Sequence, residues 1–198
     1  VRRSIGFAIL AFALAGAPSL AVADTTWGID PGHTNAGFTV RHLVITNVRG
    51  QIPLAQGVIV TATGSTLPIS IAATLDATKV NSGNDNRDAD LRGKDFFDAA
   101  NFPTIIFKST RIVPGSGGDF AATGDLTIRG ITKSVTLNAK TLGTTTDGRG
   151  RQHVGYEAST TLDRRDFGMT ILSANGGALV AGTAVTITIE IEAIARAS

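Results

Sequence analysis

From Thr26 onward one rhythm dominates the chain: an apolar residue at every second position, which puts alternate side chains on opposite faces of an extended strand. Ala36, Phe38, Val40 and His42 share one face, and Gly37, Thr39 and Arg41 the other. Ile69, Ile71, Ala73 and Leu75 repeat the pattern, as do Ile105, Phe107 and Ser109 against Ile106, Lys108 and Thr110. Phe120 to Ile128, Val135 to Ala139 and Val154 to Leu162 continue it. The clearest run is the last, with Val185, Ile187, Ile189 and Ile191 opposite Thr186, Thr188, Glu190 and Glu192. Turn-forming residues at Pro31-Gly32, Gly115 to Asp119, Arg129-Gly130 and Thr144 to Gly150 separate the runs. Thr46 to Ile52 and Leu54 to Ala62 read as neighbouring strands with a turn near Gly50 and Gln51.

This pattern predicts an all-β domain of about eight or nine strands. A sheet with one apolar face must bury that face, by closing on itself or by packing on a second sheet. Closure into an antiparallel barrel of about eight strands removes the edges and leaves an interior able to hold one slender ligand. A sandwich is the alternative.

Ser82 to Pro103 breaks the rhythm, being rich in Asp and Phe. Ser82 followed by Asp85 predicts a helix N-terminus, and Gly93 a left-handed C-terminal cap, giving a short helical insertion near residues 84–98. Asp95 to Asp98 then forms a turn presenting Phe96 and Phe97. The insertion is expected at the mouth of the barrel, with a cavity behind it.

Composition changes the picture at the N-terminus. Arg2 and Arg3, the apolar run Ile5 to Ala17 and the small residues Ala21-Val22-Ala23 predict a signal peptide over 1–23, cleaved to leave a domain at 24–198 in the periplasm. A twin-arginine signal is the second reading of Arg2-Arg3. Removing those two arginines brings the 18 basic residues level with the 16 acidic ones, which argues against a nucleic-acid partner. With no cysteine in the chain, disulfides and thiolate metal sites are excluded.

Little in the sequence points to catalysis. His33 and His42 are an odd number of residues apart, so on one strand they would face opposite ways; His33 is expected to fix a turn by a hydrogen bond. His42, on the face of Phe38 and Val40, lies at the polar end of a cavity or is a satisfied rim histidine. Asp88, Asp95 and Asp98 fit no calcium loop and read as caps paired with Arg87, Arg92 or Lys94. There is no nucleophile elbow, and Gly115-Ser116-Gly117-Gly118 is a turn. No catalytic residue and no stoichiometric metal is expected. Phe38, Phe96, Phe97, Phe102 and Phe107 line a channel or fill a core; periodicity does not decide between them.

Four ordered motifs carry a resemblance. Trp27-x-Ile29-Asp30-x-x-His33 with Phe38-x-Val40-x-His42-Leu43 and Gly50 resembles the opening of the YceI family of exported proteins. Asp88-x-x-Leu91, Asp95-Phe96-Phe97-Asp98, Phe102-Pro103 and Phe107-x-Ser109 resemble its centre, Gly124 to Lys133 its most recognisable run, and Arg165-x-Phe167-Gly168 its late motif. The resemblance implies an extended, eight-stranded, lipocalin-like barrel whose interior holds a long isoprenoid, either a polyprenyl chain or the tail of an isoprenoid quinone. Thr34 stands where the family has serine, keeping a hydroxyl and its hydrogen bond, and Asp90 replaces a histidine-like residue before Leu91. The candidate ligand-binding set is Phe38, Val40, His42, Arg87, Asp88, Leu91, Phe97, Phe102, Ile105 and Phe107. The implied role is transport, storage or stress response, with the isoprenoid as partner, no cofactor beyond that bound lipid or quinone, transient contact with a membrane or a membrane redox protein, and a homodimer as one assembly. Two alternatives stay open: an exported metal-assisted hydrolase using His42 and Asp88, and a structural stress protein whose barrel is filled by its own side chains.

Overall fold

The computed structural model describes residues 24–43, 45–171 and 181–196, so the signal peptide expected over 1–23 lies outside the described residues. Ten strands follow in order: β1 (Thr25–Ile29), β2 (Asn35–His42), β3 (Thr46–Gln51), β4 (Leu54–Thr61), β5 (Pro68–Asp76), β6 (Thr104–Pro114), β7 (Asp119–Ile128), β8 (Ile131–Thr146), β9 (Gln152–Asp163) and β10 (Ala181–Ala195). One helix, α1 (Asp85–Arg92), interrupts them between β5 and β6.

All described pairings are antiparallel, and they close a ring of eight strands: β1, β4, β5, β6, β7, β8, β9, β10 and back to β1. Strands β2 and β3 share this ring without adding positions to it. β10 pairs with β2 along Ala181 to Glu190 and with β1 along Ala193 to Ala195, so β1 and β2 are two lengths of one strand position. The break between them is the 3-10 turn Pro31–His33. β3 and β4 are likewise consecutive lengths, interrupted at Ile52-Pro53. The expectation that Thr46 to Ile52 and Leu54 to Ala62 are neighbouring strands is therefore corrected: β3 pairs with β2, and β4 with β1 and β5. A proline has no N–H for a ladder, and here the chain bends and runs on instead of reversing.

The ring has two unlike ends. The lower end carries the β4–β5, β6–β7 and β8–β9 turns. It is packed with Trp27, Ile59, Phe120, Ala122, Val154 and Tyr156, each no more than 5% exposed. Phe120 and Tyr156 meet edge to face with centroids 6.1 Å apart. The polar tips of the large aromatics find partners: Trp27 Nε1 donates to Thr61 Oγ1 at 3.0 Å, and the Tyr156 hydroxyl to the Thr66 carbonyl at 2.7 Å. Burial pushes the Tyr156 phenol up to about 12.

The upper end holds the insertion, the β7–β8 turn and the 3-10 turn Arg164–Phe167. Here β3 leaves the ring: beyond its pairing with β2, its described contact is the single bridge from Gln51 to Asn81. The insertion occupies the opening. Its helix is capped by Asn84, whose side chain accepts from Arg87 N–H at 3.0 Å, not by Ser82 as the sequence pattern suggested. Gly93 ends the helix with φ −69°, so the left-handed cap expected there does not form. A side chain at that position would instead press on the Asp90 carbonyl. Arg129 and Gly130 both have positive φ, 52° and 73°, giving the tight hairpin whose twist suits antiparallel strands. From that turn the Arg129 guanidinium donates to the Gly168 carbonyl at 2.8 Å and the Lys94 carbonyl at 2.9 Å, tying the insertion to the loop after β9.

Candidate functional site

Between the packed lower end and an upper buried cluster that includes Ile52, Ile105, Ile128, Phe167 and Met169, the inward-facing side chains do not fill the barrel. Phe38, Val40, Ile71, Leu126, Leu137 and Ile187 follow the same alternation as the lower core yet remain only half-buried, because they border a cavity of about 200 Å³. One water-sized group needs about 10–15 Å³ on such a measure, so the space is far larger than a packing defect. Every strand but β3 contributes to its wall, and Leu91, Phe96 and Phe97 of the insertion close it from above. The wall is apolar apart from Thr34, Thr160 and Arg164. Water gains few hydrogen bonds in such a space, which favours an apolar occupant.

Two glycines shape the wall. Phe38 lies directly opposite Gly50, and a Cβ on Gly50 would overlap the Phe38 ring. A Cβ on Gly124 would overlap the ring of Phe107 in the same way. The rings thus lie against neighbouring backbone, which leaves the centre of the barrel open.

Of the residues singled out from sequence, Phe38, Val40, Leu91, Phe97, Ile105 and Phe107 come together around this cavity. His42, Arg87, Asp88 and Phe102 do not border it. Asp88 is buried at 6% exposure, with Oδ1 accepting from the Ser82 N–H at 2.8 Å and from the Ser82 hydroxyl at 2.5 Å. Arg87 donates to the same serine, Nε to Oγ at 2.7 Å and a terminal nitrogen to the carbonyl at 2.8 Å. Together they brace the start of the insertion around Ser82. Phe102 packs over Gly130 and is exposed, and His42 sits half-buried near the top of β2, opposite Thr46. The hydrogen bond expected of Thr34 is corrected: its Oγ1 is buried and has no hydrogen-bonding partner among the described residues.

Phe96, one of the phenylalanines that periodicity left open between channel and core, also borders the cavity, and the structure adds Phe167, Met169 and Arg164 to the upper wall. Arg164 is 4% exposed and aimed by carbonyls: Nε donates to Gly182 at 2.9 Å, and the two terminal nitrogens to Met169 and to Ile171, the latter at 2.6 Å. Desolvation pulls its pKa below the ordinary arginine value, opposed by the neighbouring Asp163 carboxylate. An arginine beside the late Phe167-Gly168 motif was visible in the sequence, but nothing local marked it as buried. Among the described residues, the carbonyls of Met169 and Ile171 beyond the turn and of Gly182 on β10 surround its guanidinium.

Fold and cavity together define a lipocalin-type barrel with a hollow apolar interior. The chain belongs to the family described as the YceI-like domain, whose sequence profile matches residues 27–193. It is 31% identical over 143 residues to a UPF0312 protein of Vibrio cholerae, covering 72% of this chain and 76% of that one. The crystal structure of the Campylobacter jejuni YCEI protein is similar to it with a TM-score of 0.68 at 25% identity, over 79% of this chain and 90% of that one. A polyisoprenoid binding domain from Saccharophagus degradans, implicated in plant cell wall breakdown, has the same fold with a TM-score of 0.62 at 16% identity, over 86% of this chain and 98% of that one.

Proposed function

We propose that this protein holds a long isoprenoid chain, a polyprenyl lipid or the tail of an isoprenoid quinone, inside the barrel and without chemical change. The observation that carries the reading is the continuous apolar cavity between the packed lower core and the insertion. Each methylene withdrawn from water contributes about 0.8 kcal/mol, so a slender chain seated along this wall is held with few polar contacts. Affinity then comes from Phe38, Val40, Ile105, Phe107 and their neighbours, and Arg164 at the upper wall offers a cation to a polar head. The described polyisoprenoid binding of the Saccharophagus domain, which shares the fold, supports the same choice of ligand. With the predicted signal peptide, the setting is the periplasm and the role is carriage or storage of the lipid, with transient contact at a membrane.

Native mass spectrometry, with organic extraction of protein purified from its own host, tests the reading. A single co-purifying isoprenoid at about one per chain is the expected result. A barrel that carries no extractable lipid and binds none when polyprenols or quinones are offered would remove it.

A further inference from the structure

Outside the barrel, two of the chain's three histidines converge on one carboxylate. Glu192 lies on the solvent side of β10, and its Oε1 is 2.6 Å from His153 Nδ1 on β9. From the opposite side the turn between β1 and β2 presents Asp30 and His33, whose Oδ2 and Nδ1 are 2.9 Å apart. One donor atom each from Asp30, His33 and Glu192 lies within 4.8 Å of the other two. Backbone bonds hold these elements in register: Asp30 N–H donates to the Glu192 carbonyl at 2.8 Å, and Glu192 pairs with Gly155 across the β9–β10 ladder. The second oxygen of Asp30 accepts the Gly32 N–H at 2.8 Å, which fixes the carboxylate on the turn.

We propose that Asp30, His33 and Glu192 form a surface site for a late first-row divalent cation such as zinc. One imidazole and two carboxylates are a donor set this ion accepts, with water completing the tetrahedron. His153 acts one step removed. Its Nδ1 holds Glu192, and its Nε2 is 3.3 Å from Asp147 Oδ2, which Arg151 Nε also contacts at 2.8 Å. Such outer partners aim a ligand and are part of the affinity. Zinc bonds of about 2.0–2.2 Å set tetrahedral donors about 3.4 Å apart, so a spacing as wide as 4.8 Å must shorten by about 1.4 Å. His33, with its side chain 68% exposed, is free to make that swing, whereas Asp30 and Glu192 are more enclosed. A cation at His33 Nδ1 takes the place of the hydrogen bond to Asp30 Oδ2, with the neutral ring keeping its one proton on Nε2; only a protonated ring releases a proton to solvent.

The site lies on the outer wall and is independent of the lipid reading. The untagged chain, stripped with a chelator and titrated with zinc chloride by calorimetry, should take up one ion per chain and melt at a higher temperature with the ion present. His33→Ala and Glu192→Gln should each weaken binding at least about tenfold, and His153→Gln by a smaller factor. His42→Ala, remote in the fold, should leave it unchanged. Absence of saturable uptake up to about 1 mM zinc, or uptake that survives both His33→Ala and Glu192→Gln, overturns the proposal.

Discussion

The lower and upper halves of the barrel obey the same alternation of side chains and end in opposite states. Below, Trp27, Phe120 and Tyr156 reach across and touch, and their polar tips are tied to Thr61 and to the Thr66 carbonyl. Above, Phe38 and Phe107 fold back against Gly50 and Gly124, and Leu126, Leu137 and Ile187 border the cavity instead of closing it. The difference is one of reach and closure. At the lower end β1 and β4 complete the ring by direct pairing, whereas at the upper end β3 swings out and the insertion fills the gap. An inward-facing residue is therefore not automatically a core residue; it becomes one only where opposite walls are near enough to meet.

The largest effect should come from attacking the packed half. Trp27→Ala removes a side chain that is 5% exposed and strands the Thr61 hydroxyl, so urea unfolding should show a loss of about 3–5 kcal/mol. Ile187→Ala on the hollow wall should cost well under half as much, because no close-packed neighbour is lost across the barrel. Equal losses at both positions would mean that the two halves do not differ.

A matched pair of enlargements comes next. Val154→Trp, at a site 1% exposed, should overpack the lower core and destabilise it by about 1–3 kcal/mol or more. Val40→Trp should leave the melting temperature nearly unchanged while abolishing lipid co-purification, since the ring enters the cavity. A Val40→Trp protein that unfolds, together with a wild type that carries no lipid, would make the upper half a filled core.

Thr34→Val is a smaller change, made at the border between the halves. Its buried hydroxyl has no partner among the described residues, so replacing it with a methyl group should stabilise the fold by about 1 kcal/mol. A drop in stability instead would show that water or the ligand occupies that hydroxyl.

The smallest effect concerns the mouth and appears only with pH. Asp163 caps the 3-10 turn that carries Arg164 and Phe167, and the Arg165 guanidinium and its N–H hold the carboxyl down to about 2. A folded pKa below the unfolded value, about 3.9, means the carboxylate stabilises the fold above that value and loses its contribution as pH falls through about 2. Asp163→Asn should lower the melting temperature slightly at pH 7, and the gap from wild type should close between about pH 4 and pH 2. A gap independent of pH would assign the effect to the shape of the turn alone.

Much of the strand content was legible because period-two alternation is a local signal, and Phe38, Val40, Ile105 and Phe107 could be assigned one face from spacing alone. Whether that face closes on itself depends on pairings such as Trp27 with Ala195, far apart in sequence, so closure needed the structure. The bend at Pro53 was misread because a strand that continues after a kink and one that reverses into a hairpin show the same local residues. Asp88 read as a capping residue paired with an arginine or lysine and also stood in the candidate ligand-binding set; its partner is Ser82, six positions earlier, and the pair serves the helix start. Glu192 was legible only as one of the polar residues alternating along the last strand, and nothing local joined it to His153, because only the β9–β10 register brings them to the same spot on the outer wall.

The division of one strand position into β1 and β2 also sets how the molecule comes apart. β1 is held on both flanks, by β10 and by β4, while the β2–β3 hairpin hangs from β10 and the Gln51–Asn81 bridge. Amides of β3 should therefore exchange with deuterium through a local opening, well before those of β1, β4 and β9 exchange through global unfolding. Phe38 and Val40 ride on that hairpin, so one panel of the cavity wall is also the piece whose release leaves the rest of the ladder intact.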